Sequence, residues 1–266
     1  MSKEINNNPI GFFDSGVGGL TVLKQFRELL PSEDCLYFGD TKNVPYGEKT
    51  KDELIKFSGN IFEFFEKRQV KAVVMACNTT SANVYNELKD KYPFKIYPII
   101  QSVTNILAKL PVTTIGVFAT QATINSHAYQ KGINTLNKNI KVIETACPDW
   151  VKIVEEKREN DADSLTKIKT KTDEMMNLHP DKIILGCTHY PYLINQLKQF
   201  APENIFINPA KAFVEFIKED LRKNNLLSDK TSNGNEKFYV SANPENFQKA
   251  GSMFYEITER PELINL

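Results

Sequence analysis

The sequence predicts an α/β fold made of two pseudo-symmetric, doubly wound units with mostly parallel sheets and a site in the cleft between them. Short apolar runs alternate with helical patterns along most of the 266 residues, as strands buried between helices do. The order of these segments repeats, with Cys77 and Cys187 lying 110 residues apart and Ile10 and Ile115 lying 105 apart. Several runs end in polar clusters, and parallel sheets bind ligands beyond the carboxyl ends of their strands.

The first run, 10–13, ends in Asp14-Ser15-Gly16 and opens a helix with Leu20, Leu23, Phe26 and Leu30 on one face. The run 35–38 ends in Gly39-Asp40-Thr41 and leads to the turn Pro45-Tyr46-Gly47. Thr50 and Glu53 form a capping box for a helix buried through Leu54, Phe57, Ile61 and Phe65. The run 72–76 ends at Cys77-Asn78-Thr79 and enters another helix. In the second half, Ile115-Gly116-Val117-Phe118 ends in Ala119-Thr120, echoing Ile10-Gly11-Phe12-Phe13 and its Asp14-Ser15. The run 141–144 leads into Ala146-Cys147-Pro148, and 183–186 delivers Cys187-Thr188-His189, with Pro191 placed near a helix start. After Pro209 come an apolar helix (Phe213, Phe216, Ile217, Leu221), a polar linker at 228–236, a strand at 238–241 and a last helix. Composition does not decide which unit this tail joins.

Thirty-three basic and 33 acidic residues cancel, which leaves no basic footprint for nucleic acid and no polybasic membrane patch. The polar stretch 1–9 argues against a secretory signal, and no run approaches the roughly 20 apolar residues of a membrane span. The four cysteines are dispersed without a C-x-x-C pair, so they read as free thiols rather than a zinc site.

The chemistry gathers at the strand ends. Helix N-termini there offer unpaired N–H groups, and Ser15, Asn78, Thr79 and Thr188 add donors, which suits an amino-acid ligand. A thiol at a helix N-terminus gains thiolate character, and Cys77 and Cys187 share that expected setting at equivalent places. Cys35 opens an apolar strand and reads as core, whereas the role of Cys147 stays open. His189 is placed to assist Cys187 or to touch substrate; His127 and His179 read as solvated or capping. Cys187-x-His189 has no further ligand set to make a metal site. Gly16-Val17-Gly18-Gly19, with Asp40 after the next strand, competes as a dinucleotide site. Its third glycine position is Thr21, however, and Asp14 would face the pyrophosphate.

Taken together, Asp14-Ser15-Gly16-Val17-Gly18-Gly19, Pro45-Tyr46-Gly47, Ala76-Cys77-Asn78-Thr79 and Gly186-Cys187-Thr188-His189-Tyr190-Pro191 resemble the motifs of the glutamate racemase family, in its order and over nearly the whole chain. The resemblance implies racemisation of L- and D-glutamate with neither pyridoxal phosphate nor metal. One cysteine thiolate takes the α-proton and the other, as a thiol, protonates the opposite face. It associates Asp14 with Cys77, and Glu155 and His189 with Cys187. It assigns substrate binding to Asp14, Ser15, Tyr46, Gly47, Asn78, Thr79, Thr188 and His189. It further implies domains at 1–100 completed by 209–266 and at 101–208, a homodimer, and a cytoplasmic role supplying D-glutamate for peptidoglycan. The chain departs from the family at 98–102, at Asn208-Pro209 and at Asp149-Trp150. Rival expectations are an aspartate or hydantoin racemase, a decarboxylase of the same superfamily, a non-catalytic amino-acid-binding module, and a dinucleotide-dependent enzyme.

Overall fold

Alternate side chains of the early strands are buried on opposite faces, so the sheet they form is covered on both sides. In the computed structural model, which describes residues 5–266, Ile10, Phe12, Tyr37 and Val74 enter one apolar core. Phe13, Phe38, Val73 and Met75 enter another on the opposite face. Continuous apolar runs of this kind are what a parallel sheet between two helical layers requires.

Among the described residues ten strands form two sheets. The first joins β1 (Ile10–Asp14), β2 (Cys35–Gly39), β3 (Ala72–Met75) and β4 (Lys95–Pro98). The second joins β5 (Thr114–Ala119), β6 (Lys141–Ala146), β7 (Lys182–Gly186) and β8 (Phe206–Ile207). Two late strands, β9 (Glu236–Val240) and β10 (Glu262–Leu263), return to the first sheet. The orders are β10-β9-β2-β1-β3-β4 and β6-β5-β7-β8, with every pairing parallel. The internal repeat is thus structural: β2-β1-β3-β4 answers to β6-β5-β7-β8. Register makes the match residue by residue, because Phe13 pairs with Met75 and Phe118 with Leu185. Two residues beyond Met75 and Leu185, just past β3 and β7, Cys77 and Cys187 emerge at corresponding strand ends.

The tail's place is decided by pairing. β9 lies along β2, with Cys35 opposite Glu236, so the tail extends the first sheet. The helix Ala210–Lys223 buries Phe213, Val214, Ile217 and Leu221 against the helices Leu20–Leu29 and Ile99–Leu107. Ile99–Leu107 begins directly after β4 and also packs on Ala128–Leu136, so one core runs through both units. The helix Lys51–Lys67 covers the other face of the first sheet. Its capping box is formed: Glu53 N donates to Thr50 Oγ1 at 3.3 Å and Thr50 N to Glu53 Oε2 at 2.9 Å. Such a cap stabilises by about 1 kcal/mol. Among the described residues no helix is long and apolar enough to cross a membrane.

At the opposite end of the first sheet from the polar clusters, Lys71 and Glu33 form an ion pair with side chains 0% and 2% exposed. Burial lowers the Lys71 pKa, while Glu33 pulls it back up. The other Glu33 oxygen accepts from the Ser228 N–H at 2.8 Å, tying down the polar linker. Lys71→Met leaves that carboxylate buried and unpaired, and the expected loss is about 3 kcal/mol of unfolding free energy in urea. Replacing Glu33 with Leu in the same chain restores most of it.

Candidate active site

Two thiols, one from each sheet, line one cavity. Cys77 and Cys187 are 5% and 7% exposed, and the space between the units measures about 630 Å³ including its mouth. Ser15, Tyr46, Gly47, Asn78 and Thr79 line it from the first unit; Glu155, Thr188 and His189 line it from the second. Asp14 alone of the candidate residues lies off this lining; its side chain is fully buried behind the wall. Its carboxylate accepts from the Gly16 N–H at 3.0 Å and from Thr188 Oγ1 at 3.4 Å, so it bridges the two units.

The glycine cluster serves this seam. A Cβ on Gly18 would lie 2.3 Å from Thr188 Oγ1 and 2.6 Å from His189 Nδ1, and one on Gly19 would lie 2.5 Å from Asp14 Cβ. The backbone is bare there because the second unit's Thr188-His189 occupies the space a phosphate would need. Asp40 is committed as well. It accepts from Tyr46 Oη, from both approaches of Asn43 Nδ2 (2.9 and 3.0 Å) and from Ser241 Oγ, which holds the Pro45-Tyr46-Gly47 turn over the cavity. Gly47 in turn closes on Thr120 across the seam.

The two thiols have unlike neighbours. Cys77 caps the helix Asn78–Asn83, and the Thr80 N–H favours its thiolate, as the sequence leads one to expect. Burial, followed by the charge of Asp14, outweighs that help and pushes the thiol up to about 12. The expectation of thiolate character from the helix end is therefore corrected for Cys77. At Cys187 no α-helix follows directly; the chain makes a 3-10 turn at Tyr190–Leu193 with Pro191 in it. Its polar neighbour is His189, with Nδ1 3.9 Å from Cys187 Sγ and Nε2 3.0 Å from Glu155 Oε1. Burial disfavours a charged imidazole, yet the contacts to Cys187 and Glu155 prevail and raise His189 to about 10. These contacts favour the imidazolium form of His189. Burial also raises the Asp14 pKa, against the pull of His189, the Gly16 and Gly19 N–H groups and Thr188. Matched strand ends put Ala119 where the first unit has Asp14, and His189 where it has Thr79. The site is symmetric in its thiols and asymmetric in their partners.

Residues 20–217 match the family model described as Asp/Glu/hydantoin racemase. The chain belongs to the Asp/Glu/hydantoin racemase family. It is 39% identical over 251 residues to the glutamate racemase of Thermoanaerobacter pseudethanolicus, covering 94% of each chain. The structure superposes with a TM-score of 0.90 and 33% identity on glutamate racemase from Francisella tularensis in complex with D-glutamate, covering 97% of this chain and 98% of that one. Glutamate racemase from Thermus thermophilus in complex with β-chloro-D-alanine gives 0.87 and 31%, covering 98% of both.

In this racemase-family cavity the remaining lining supplies donors and apolar walls. Tyr129 Oη donates to Asn78 Oδ1 at 2.8 Å, leaving the buried Asn78 Nδ2 without a partner among the described residues and free to donate to a ligand. Thr79 and Thr120 hydroxyls meet at 2.9 Å, and Thr120 reaches Thr123 at 3.0 Å, joining the units through hydroxyl groups. Thr120 and Gln121 also line the cavity, although neither is among the site residues expected from the sequence. The signal was present, since Ala119-Thr120 repeats the position of Asp14-Ser15 at the end of β1. Pro148, Val151 and Val44 add apolar surface, and nothing local in the sequence marks them. Cys35 is core, as expected, and Cys147 is buried with its carbonyl accepting from Tyr190 Oη at 2.7 Å. His127 caps the junction of two helices and pairs with Glu144 at 2.7 Å, and His179 is exposed; neither reaches the cavity. Among the described residues no cluster of three His, Cys, Asp or Glu side chains forms a metal-binding group.

Proposed function

We propose that this chain interconverts L- and D-glutamate by a two-base mechanism, with Cys77 and Cys187 acting on opposite faces of the α-carbon. The observation that carries the reading is the pair of thiols at corresponding strand ends on facing walls of one cavity. The His189 ring faces Cys187 Sγ at 3.9 Å, whereas burial and the charge of Asp14 favour the thiol form of Cys77. The Cys187 thiolate takes the α-proton of one enantiomer, and the Cys77 thiol delivers a proton to the other face. The opposite direction starts with the thiols' protonation reversed. Proton transfer of this kind contributes roughly 10²–10⁴-fold when the groups are positioned.

Ser15, Gly47, Asn78, Thr79, Thr188 and His189 hold the substrate's charged groups, and Tyr46 shapes the wall. Donors on the α-carboxylate, the free Asn78 Nδ2 among them, take up the charge that develops as the C–H bond breaks. Asp14 acts on Cys77 by its charge from behind the wall, and Glu155 orients His189. Glutamate is preferred to aspartate because the relatives named above are glutamate racemases and one was solved with D-glutamate. A division into 1–100 with 209–266 and 101–208 accords with the composition of the two sheets. A homodimer, a cytoplasmic setting and the supply of D-glutamate for peptidoglycan follow from the family resemblance.

The test is NMR of the substrate α-carbon in D₂O, with metal-stripped protein and no added cofactor, starting from each glutamate enantiomer and from L-aspartate. Deuterium entering the α-position as glutamate racemises is the expected result. Faster exchange with aspartate reassigns the substrate, and silence with both overturns the reading.

A further inference from the structure

We infer that Phe254 is a positioning residue for the Cys187–His189 pair, a side chain supplied by the segment that completes the first sheet and used to set the imidazole of the second unit. The inference rests on the two-base reading above.

The His189 ring makes its two polar contacts through opposite nitrogens, Nδ1 toward Cys187 and Nε2 toward Glu155. Turning the ring over about its last torsion puts carbon atoms where both nitrogens stand, and that torsion is intrinsically soft and two-fold. The two polar contacts select the flip state, and a third contact is needed to keep the ring from tilting away from them. Phe254 provides one: its ring is nearly perpendicular to His189, at 81° with centroids 5.9 Å apart, and it is 3% exposed. Behind it Tyr192 packs at 4.0 Å between centroids, with Tyr192 Oη donating to the Met253 carbonyl at 3.4 Å.

The segment holding Phe254 is itself fixed. Phe254 N donates to the Gly251 carbonyl at 2.8 Å at the end of the helix Pro244–Gly251, and Gln248 Nε2 ties back to the Ile257 carbonyl at 2.9 Å. Phe254 therefore presents a rigid apolar face to the imidazole. It keeps water from that side of the pair, and a drier pair attracts more strongly.

The charged and titratable groups around the pair are few. Glu155 and Asp14 act on His189, while Cys77, Cys147, Tyr129 and Tyr190 surround Cys187. Phe254 alters none of these groups directly, so its removal changes the thiol only through the imidazole.

The experiment is alkylation of the substrate-free full chain by iodoacetamide across neutral to alkaline pH, with Cys187 and Cys77 quantified separately by peptide mass spectrometry. The midpoint of each profile reports the thiol's acidity, independent of how readily the reagent enters. Phe254→Leu keeps an apolar side chain but removes the flat aromatic face. The expected result is an upward shift of the Cys187 midpoint by about one pH unit, a tenfold change in thiolate equilibrium, with Cys77 unmoved. An unchanged Cys187 midpoint, or parallel shifts of both thiols, overturns the assignment. Tyr192→Leu, at a half-buried position one layer further out, is expected to act in the same direction more weakly. It decides the question should Phe254→Leu not fold: a shift at Cys187 alone supports the assignment, and no shift overturns it. Alkylation needs no substrate, so failure of wild-type protein to racemise glutamate in D₂O is read separately from failure of this inference.

Discussion

Cys77→Ser and Cys187→Ser each lower turnover of glutamate by about 10²–10⁴-fold, the range associated with loss of a positioned acid or base. A serine hydroxyl fills nearly the same volume at these buried sites, so the fold is retained, but it neither holds the negative charge of a thiolate nor releases a proton as readily. The effect has a required form. Enantiomers have equal free energy, so the equilibrium constant is one, and kcat/KM must be the same from L- and from D-glutamate in every variant. A variant that damages one wall more than the other shows its bias only in kcat and KM taken separately. Asp14→Asn and His189→Asn, which touch the surroundings of different thiols, are the variants in which that split is expected. Polarimetry from each pure enantiomer measures all four constants. Full turnover in either serine variant would falsify the two-base reading.

Gly18→Ala lowers kcat by about 10²-fold while leaving the protein folded, the scale expected when catalytic groups move by roughly 1 Å. The added methyl lies 2.3 Å from Thr188 Oγ1 and 2.6 Å from His189 Nδ1. Neither side chain has room to yield without giving up a partner, since Thr188 bonds Asp14 and His189 is held by Cys187 and Glu155. The strain is relieved by moving the seam, and the seam carries one thiol on each side. Gly59→Ala is the control: its Cβ would meet nothing nearer than Tyr92 Oη at 3.8 Å, and in the helix Lys51–Lys67 it stabilises by about 0.5–1 kcal/mol. Circular dichroism and steady-state rates on the two variants separate a local backbone effect from displacement of the site. Equal activity in Gly18→Ala and wild type removes the seam as a determinant of catalysis.

Much of this architecture is legible in the sequence because strands buried on both faces leave uninterrupted apolar runs. The repeat is legible because Ile10-Gly11 and Ile115-Gly116 begin equivalent strands. The thiols declare themselves by ending such strands in polar company. Other features depend on partners far away in the chain. Gly18 announces a close approach but not what approaches, so a phosphate and the Thr188-His189 segment look the same until the fold brings the latter in. Asp40 resembles a ribose ligand until Tyr46, Asn43 and Ser241 are seen to occupy it. The acidity of Cys77 escapes a local reading altogether. Its helix N-terminus is visible in sequence, whereas the burial and the Asp14 charge that outweigh it belong to the assembled fold. Phe254 gives no local sign at all, since His189 and Tyr192 lie more than 60 residues earlier.

The unlike neighbours of the two thiols also bear on what happens between turnovers. In the proposed two-base mechanism each conversion ends with the proton on the sulfur that began without it, so product departs from a protein in the other of two forms. The two forms have unlike surroundings: the Cys187 sulfur faces the His189 ring at 3.9 Å, whereas burial and the Asp14 charge disfavour a Cys77 thiolate. Before the same enantiomer reacts again, one proton has to pass between the sulfurs through solvent or the surrounding groups, with no substrate involved. That reset is downhill after conversion in one direction and uphill after conversion in the other. At saturation it can pace the two directions differently, so the empty protein keeps a record of the handedness it last consumed.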